Sequence, residues 1–205
     1  MLRPAAPGRN RACPGVRGGR RLPRGPPPAW YPPAPMSRLR VQFVHGLEGS
    51  PQGAKARLFA EHFEARTPAM NTRDFESCVE VHAGVLKDFQ PEVLVGSSFG
   101  GAVVVELLAR GLWRGPTLLL AQAALRRDPD VGLPGGVPVW LVHGLRDDIV
   151  DPDESRRLAR TGSPELVRLI EVDDDHGLHG LVESGELVAM LRELAESQGG
   201  DLSRG

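Results

Sequence analysis

Five short runs rich in Val, Leu and Ile recur along the chain, over residues 39–44, 92–95, 117–121, 137–142 and 166–172. Several are apolar at consecutive positions, the pattern of strands buried on both faces. A weaker strand is expected near 66–70. Helical stretches separate them, over about 54–64, 74–87, 100–110, 152–161 and 179–197. The last of these repeats Leu181, Val182, Val188, Leu191 and Leu194 at helical spacing. Strands that alternate with helices are joined by crossovers, which makes neighbouring strands parallel. The expected class is therefore α/β: a mostly parallel central sheet with helices on both faces.

Charge divides the chain unevenly. Residues 1–35 hold seven arginines, ten of the 19 prolines and no Asp or Glu. That leaves 18 basic groups against 26 acidic ones in the remainder. So many prolines remove backbone donors and forbid a helix or strand, and the segment lacks the apolar core of a secretory signal. We expect 1–35 to be a disordered Pro/Arg/Gly-rich segment. Either it lies upstream of a true start at Met36, or it is a basic tail. Residues 36–205 are expected to form one domain. Its acidity argues against nucleic acid or an anionic membrane surface as a partner, and no apolar run approaches the roughly 20 residues of a membrane-spanning helix. Cys13 and Cys78 make no disulfide framework, and a cytoplasmic location is expected.

Chemistry concentrates on loops that follow strands. Gly96-Ser97-Ser98-Phe99-Gly100 comes straight after the run 92–95 and opens a helix, the setting in which G-x-S-x-G acts as a nucleophile elbow. By spacing Ser98 is the nucleophile and Ser97 the variable position. His143-Gly144-Leu145-Arg146-Asp147 follows the run 137–142, where a carboxylate could orient a histidine. Asp175-His176 follows the run 166–172, where a histidine could be the general base. The H-G-x-x-D spacing favours Asp147 over its neighbour Asp148, and nearness to the strand favours His176 over His179. Each motif alone has a dull explanation as a turn or a solvated loop. The joint order Ser98, Asp147, His176 is the one expected of α/β-hydrolases.

The chain resembles the α/β-hydrolase superfamily, and within it the small cap-less esterases of the YqiA type. The resemblance rests on these three motifs and on Val44-His45-Gly46-Leu47-Glu48-Gly49-Ser50-Pro51-Gln52-Gly53-Ala54-Lys55. It implies an oxyanion hole built from the N–H groups of Leu47 and Phe99, and a packing role for His45. Ala121-Gln122-Ala123 departs from the family, which often has a proline before the alanine, and leaves the shape of that loop open.

Metal and cofactor motifs are missing from the sequence. Asp147, Asp148, Asp151 and Asp153 do not follow the EF-hand pattern, and neither Cys-x-x-Cys nor His-Glu-x-x-His occurs. No glycine spacing matches a phosphate cradle. A cofactor-free serine esterase acting on a small or soluble acyl ester is expected, with residues 122–136 as a loop rather than a cap. Thioesters and amides remain open, because the same triad serves all three. The rival is a hydrolase-fold binding protein without turnover.

Overall fold

Six strands and seven helices alternate through residues 38–199, the part of the chain that the computed structural model describes. The expectations for 1–35, with Cys13 and the start at Met36, fall outside the described residues. The elements are β1 (Arg40–Val44), α1 (Ala54–His62), β2 (Glu64–Arg66), α2 (Phe75–Phe89), β3 (Val93–Ser97), α3 (Phe99–Ala109) and β4 (Thr117–Leu120). Then follow α4 (Ala124–Arg127), β5 (Val139–Gly144), α5 (Pro152–Ala159), β6 (Val167–Val172), α6 (His179–Ser184) and α7 (Glu186–Gly199). The strands form one sheet in the order β2-β1-β3-β4-β5-β6, and every pair is parallel.

Side-chain alternation along each strand feeds two cores. Leu94, Leu119 and Leu141 point to one face, where α2, α3 and α5 cover them with Val79, Val103 and Leu158. Val93, Val95, Leu118, Leu120, Trp140 and Val142 point to the other, against Phe59 of α1, Leu181 of α6, and Leu187 and Leu191 of α7. The central helix α3 is apolar almost all round and is buried from Gly100 to Val105, as expected of a helix walled in on all sides. The ends of the polar helices are set by side chains. Asp74 caps α2 by accepting from Ser77 N at 3.1 Å, and Asp151 caps α5 ahead of Pro152.

Three expectations shift. The weak strand at 66–70 is instead β2 at Glu64–Arg66, a three-residue edge whose Glu-Ala-Arg gives no apolar signal. The single helix over 179–197 is broken at Gly185, whose φ of 75° is left-handed and ends α6 before α7 begins. The loop 122–136 contains one four-residue helix, α4. Among the described residues no helix is long and apolar enough to cross a membrane.

One buried polar group ties stability to pH. His82 of α2 is fully buried against Gln42 of β1, whose Nε2 donates to the His82 carbonyl at 3.1 Å and lies 3.0 Å from His82 Nδ1. Desolvation, with a smaller push from His45, lowers the His82 pKa to about 4. The unfolded chain takes up this proton near pH 6.5, whereas the folded chain resists until about pH 4. The stability contributed by neutral His82 is therefore complete above the unfolded value and is lost as pH falls towards the folded one. We expect urea unfolding to show about 2 kcal/mol less stability at pH 5 than at pH 7 from this group. A His82→Gln variant, which cannot protonate, should lose that part of the difference; an unchanged pH slope would refute the assignment.

Candidate active site

The turn between β3 and α3 is held in a costly shape. Ser98 has φ 54° and ψ −118°, a left-handed conformation that costs a non-glycine residue about 1–3 kcal/mol. Four backbone hydrogen bonds over-determine it. Ser98 N donates to Leu120 O at 2.9 Å, and Ser98 O accepts from the N–H groups of Gly101, Ala102 and Ala123. The turn has no room for more atoms. A Cβ on Gly100 would sit 2.1 Å from Val44 O, and one on Gly46 would sit 3.2 Å from Ser98 Cβ. The first turn of α3 thus lies directly on the end of β1, with the loop after β1 beside the serine.

Two further strand ends meet Ser98 there. His176 Nε2 lies 3.0 Å from Ser98 Oγ, and His176 Nδ1 lies 2.7 Å from Asp147 Oδ2. These partners set the tautomer: Nδ1–H donates to the carboxylate, and Nε2 accepts from the serine hydroxyl. The Asp147 carboxylate is buried, while the His176 ring is about one-fifth exposed. Burial by itself would push the Asp147 carboxyl up. The N–H groups of Val150 and Ile149, donating at 2.8 and 2.9 Å, together with His176, outweigh burial and hold it below the ordinary carboxylate range.

The neighbours that compete with these residues in sequence lie elsewhere in space. Asp148 is exposed on the rim. His179 turns outward and bonds Asp175 Oδ2 at 2.7 Å, with its ring about two-thirds exposed. His45 is buried, with Nδ1 2.8 Å from Gly46 O, and so braces the loop after β1. Ser97 closes β3 as a buried residue.

Leu47 and Phe99 both line a cleft that opens at Ser98. Phe99 N is the first N–H of α3, and such groups have no partner within the helix. Leu47 is the residue after Gly46 and lines the cleft at Ser98 with its neighbour.

A buried chain behind Asp147 is not apparent from motif spacing. His143 Nε2 lies 3.0 Å from Asp147 Oδ2 and 3.0 Å from Val150 O, while its Nδ1 lies 2.7 Å from Ser155 Oγ. Ser155 accepts in turn from Gln122 Nε2 at 3.2 Å, and Gln122 Oε1 accepts from Ala124 N at 2.7 Å. Gln122, His143 and Ser155 are all fully buried. The departure at Gln122 thus has a structural role: its amide joins the loop after β4 to α5. On the other side, Lys55 of α1 donates to Gly177 O, pinning the loop that carries His176. Desolvation lowers the Lys55 pKa against the pull of Asp175 and Asp174.

Two clefts open at Ser98. One, of about 570 Å³, is lined by Gly46, Leu47, Lys55, His176 and His179 together with the acids Glu48, Asp148 and Asp175. The other, of about 260 Å³, is lined by Phe75, Phe99, Ala102, Val150, Arg126 and Arg127. Among the described residues no group of three or more His, Cys, Asp or Glu is placed to hold a metal ion.

No family model and no curated protein matches the sequence. Solved structures do match in shape. A protein from Xanthomonas campestris pv. campestris, described by inference as a hydrolase of the alpha/beta superfamily, aligns with TM-score 0.63 and 21% identity, over 80% of this chain and 99% of its own. A protein from Agrobacterium vitis S4, likewise described by inference as a hydrolase, aligns with TM-score 0.61 and 19% identity, over 77% and 88%. The esterase Pf2001 from Pyrococcus furiosus aligns with TM-score 0.59 and 14% identity, over 79% and 84%. The parallel six-stranded sheet and these likenesses give the chain a small form of the α/β-hydrolase fold.

Proposed function

We propose that the chain is a serine esterase working through an acyl-enzyme, with Ser98 as nucleophile, His176 as general base and Asp147 as its orienting acid. The observation behind this reading is the continuous Asp147–His176–Ser98 hydrogen-bond chain, at 2.7 and 3.0 Å, under a strained serine turn. His176 Nε2 takes the Ser98 proton as Oγ bonds to the ester carbon, and Asp147 steadies the imidazolium. The N–H groups of Leu47 and Phe99 bind the oxyanion; one such donor is worth about 3–4 kcal/mol. The carbon–oxygen bond to the alcohol then breaks, and that oxygen leaves with the proton from His176. Water, deprotonated by the same nitrogen, releases the acid and restores Ser98. The minimal insert between β4 and β5 supports a cap-less enzyme with a small or soluble ester substrate.

The test is phosphonylation by a fluorophosphonate probe, followed by mass spectrometry of the Ser98 peptide. Labelling should be confined to Ser98. His176→Ala should slow this labelling sharply, because Ser98 loses the acceptor of its proton at 3.0 Å, and His179→Ala should leave its rate unchanged. Labelling that ignores both substitutions would leave a binding protein on a hydrolase fold as the better reading.

A further inference from the structure

Ser98 stands between two clefts of opposite charge, and proton geometry distinguishes their roles. The leaving oxygen must receive its proton from His176 Nε2, so the alcohol departs into the cleft that His176 lines. The acyl chain then occupies the other cleft, whose wall includes Phe99 but not His176. At about 260 Å³ it lies below the usual range of ligand pockets and suits a short chain.

The smaller cleft is apolar except for two arginines, and no Asp or Glu lines it. Arg126 is held by Glu154, with Nε 3.1 Å from Oε1. Arg127 has no ion-pair partner among the described residues. Glu76, which feels its charge, is occupied by Arg110, whose Nη2 donates to Oε2 at 2.7 Å. Arg127 is instead parked over an aromatic ring, with Cζ 4.5 Å from the centroid of Phe75. Phe75 meets Phe99 edge to face at 5.8 Å. An unpaired guanidinium is thus stacked on the wall of an apolar slot that the nucleophile also lines. The larger cleft carries Glu48, Asp148 and Asp175 against one cation, Lys55, which is already bonded to Gly177 O, and its net charge would repel a carboxylate.

Resting on the serine-esterase reading, we propose that the smaller cleft is the acyl site and that Arg127 selects acyl groups ending in a carboxylate. The substrates would be half-esters of short dicarboxylic acids, with a neutral or cationic alcohol leaving through the acidic cleft. Arg127 acts here as a specificity residue and takes no part in the bond changes.

The experiment compares monoethyl succinate, glutarate and adipate with the neutral ethyl esters of equal chain length, following acid release in a pH-stat. For at least one length the half-ester should have a kcat/KM about tenfold or more above its neutral partner, as a charge-assisted contact provides. Arg127→Met keeps the stem over Phe75 but removes the charge, and should cut that ratio about tenfold, through KM. Arg127→Lys should restore part of it, and added salt should erode it in the wild type. Ratios near one, or equal in wild type and Arg127→Met, overturn the acyl-site assignment while neutral esters are still cleaved. Failure to cleave any ester, with Ser98 unlabelled by the fluorophosphonate, removes the esterase reading and this inference with it.

Discussion

Ser98→Ala should lower the rate of ester hydrolysis by about 10⁴-fold or more, the usual loss when a triad nucleophile is removed. The fold should survive, and the reason is local. Alanine is no better suited than serine to the left-handed turn, but the four hydrogen bonds that hold it all use the backbone of residue 98. Only Oγ and its 3.0 Å bond to His176 disappear. Ser97→Ala, one residue back on β3, should stay within about tenfold of the parent rate, well short of a triad loss. Hydrolysis of p-nitrophenyl acetate, with circular dichroism as the folding check, reads both. A Ser98→Ala protein that still turns over would move the nucleophile elsewhere.

Gly100→Ala is expected to have the largest effect on folding of any single methyl addition in this region. The new Cβ would lie 2.1 Å from Val44 O and 2.6 Å from His45 O, both backbone atoms that no rotamer change can move. Relief requires α3 to lift off β1, and α3 begins at the Ser98 turn. Overpacking of this kind costs about 3 kcal/mol, at the top of the usual range. For a domain of this size that lowers Tm by roughly 6–12 °C, and the displaced Phe99 N–H should reduce activity as well. Gly84→Ala makes the opposite case with the same chemistry. Gly84 lies in α2 with nothing within 4 Å of its virtual Cβ, so alanine there should gain about 0.5–1 kcal/mol. Equal melting temperatures for the two variants would show that the close approach at Gly100 yields more readily than its geometry implies.

What could be read from the sequence is what short-range pattern encodes. The strands β3, β4 and β5 announce themselves because burial on both faces demands apolar runs, as in Thr117–Leu120, and β1 and the part-exposed edge β6 are still legible from their Val, Phe, Leu and Ile. β2 is silent because an edge of Glu-Ala-Arg buries almost nothing. The break at Gly185 is hidden by apolar residues that keep helical spacing on both sides of it. At the site, the order Ser98, Asp147, His176 is visible because each residue sits just after a strand. Nearness to the strand favours His176 over His179, and in space the first ring reaches Ser98 while the second turns to Asp175. The Gln122–Ser155–His143 chain could not be read at all. Its members lie on three different elements, and each taken alone is an ordinary polar residue. Arg127 was equally mute, since its stacking on Phe75, and the ion pair that Arg126 makes and it does not, are visible only in space.

A sheet in which every pair is parallel contains no hairpin from which folding could start cheaply. Each strand must wait for a crossover to close, so the entropy of loop closure is spent before long-range contacts return it. The Ser98–His176 bond spans 78 positions and the His176–Asp147 bond 29. All three residues hang from the strands β3, β5 and β6, with β4 seated between the first two. Assembly of the proposed triad is accordingly a late event in the life of a newly made chain. It arrives when β3, β4, β5 and β6 have closed, however early the individual helices form, and the proposed oxyanion hole waits in addition for β1, whose following loop carries Leu47.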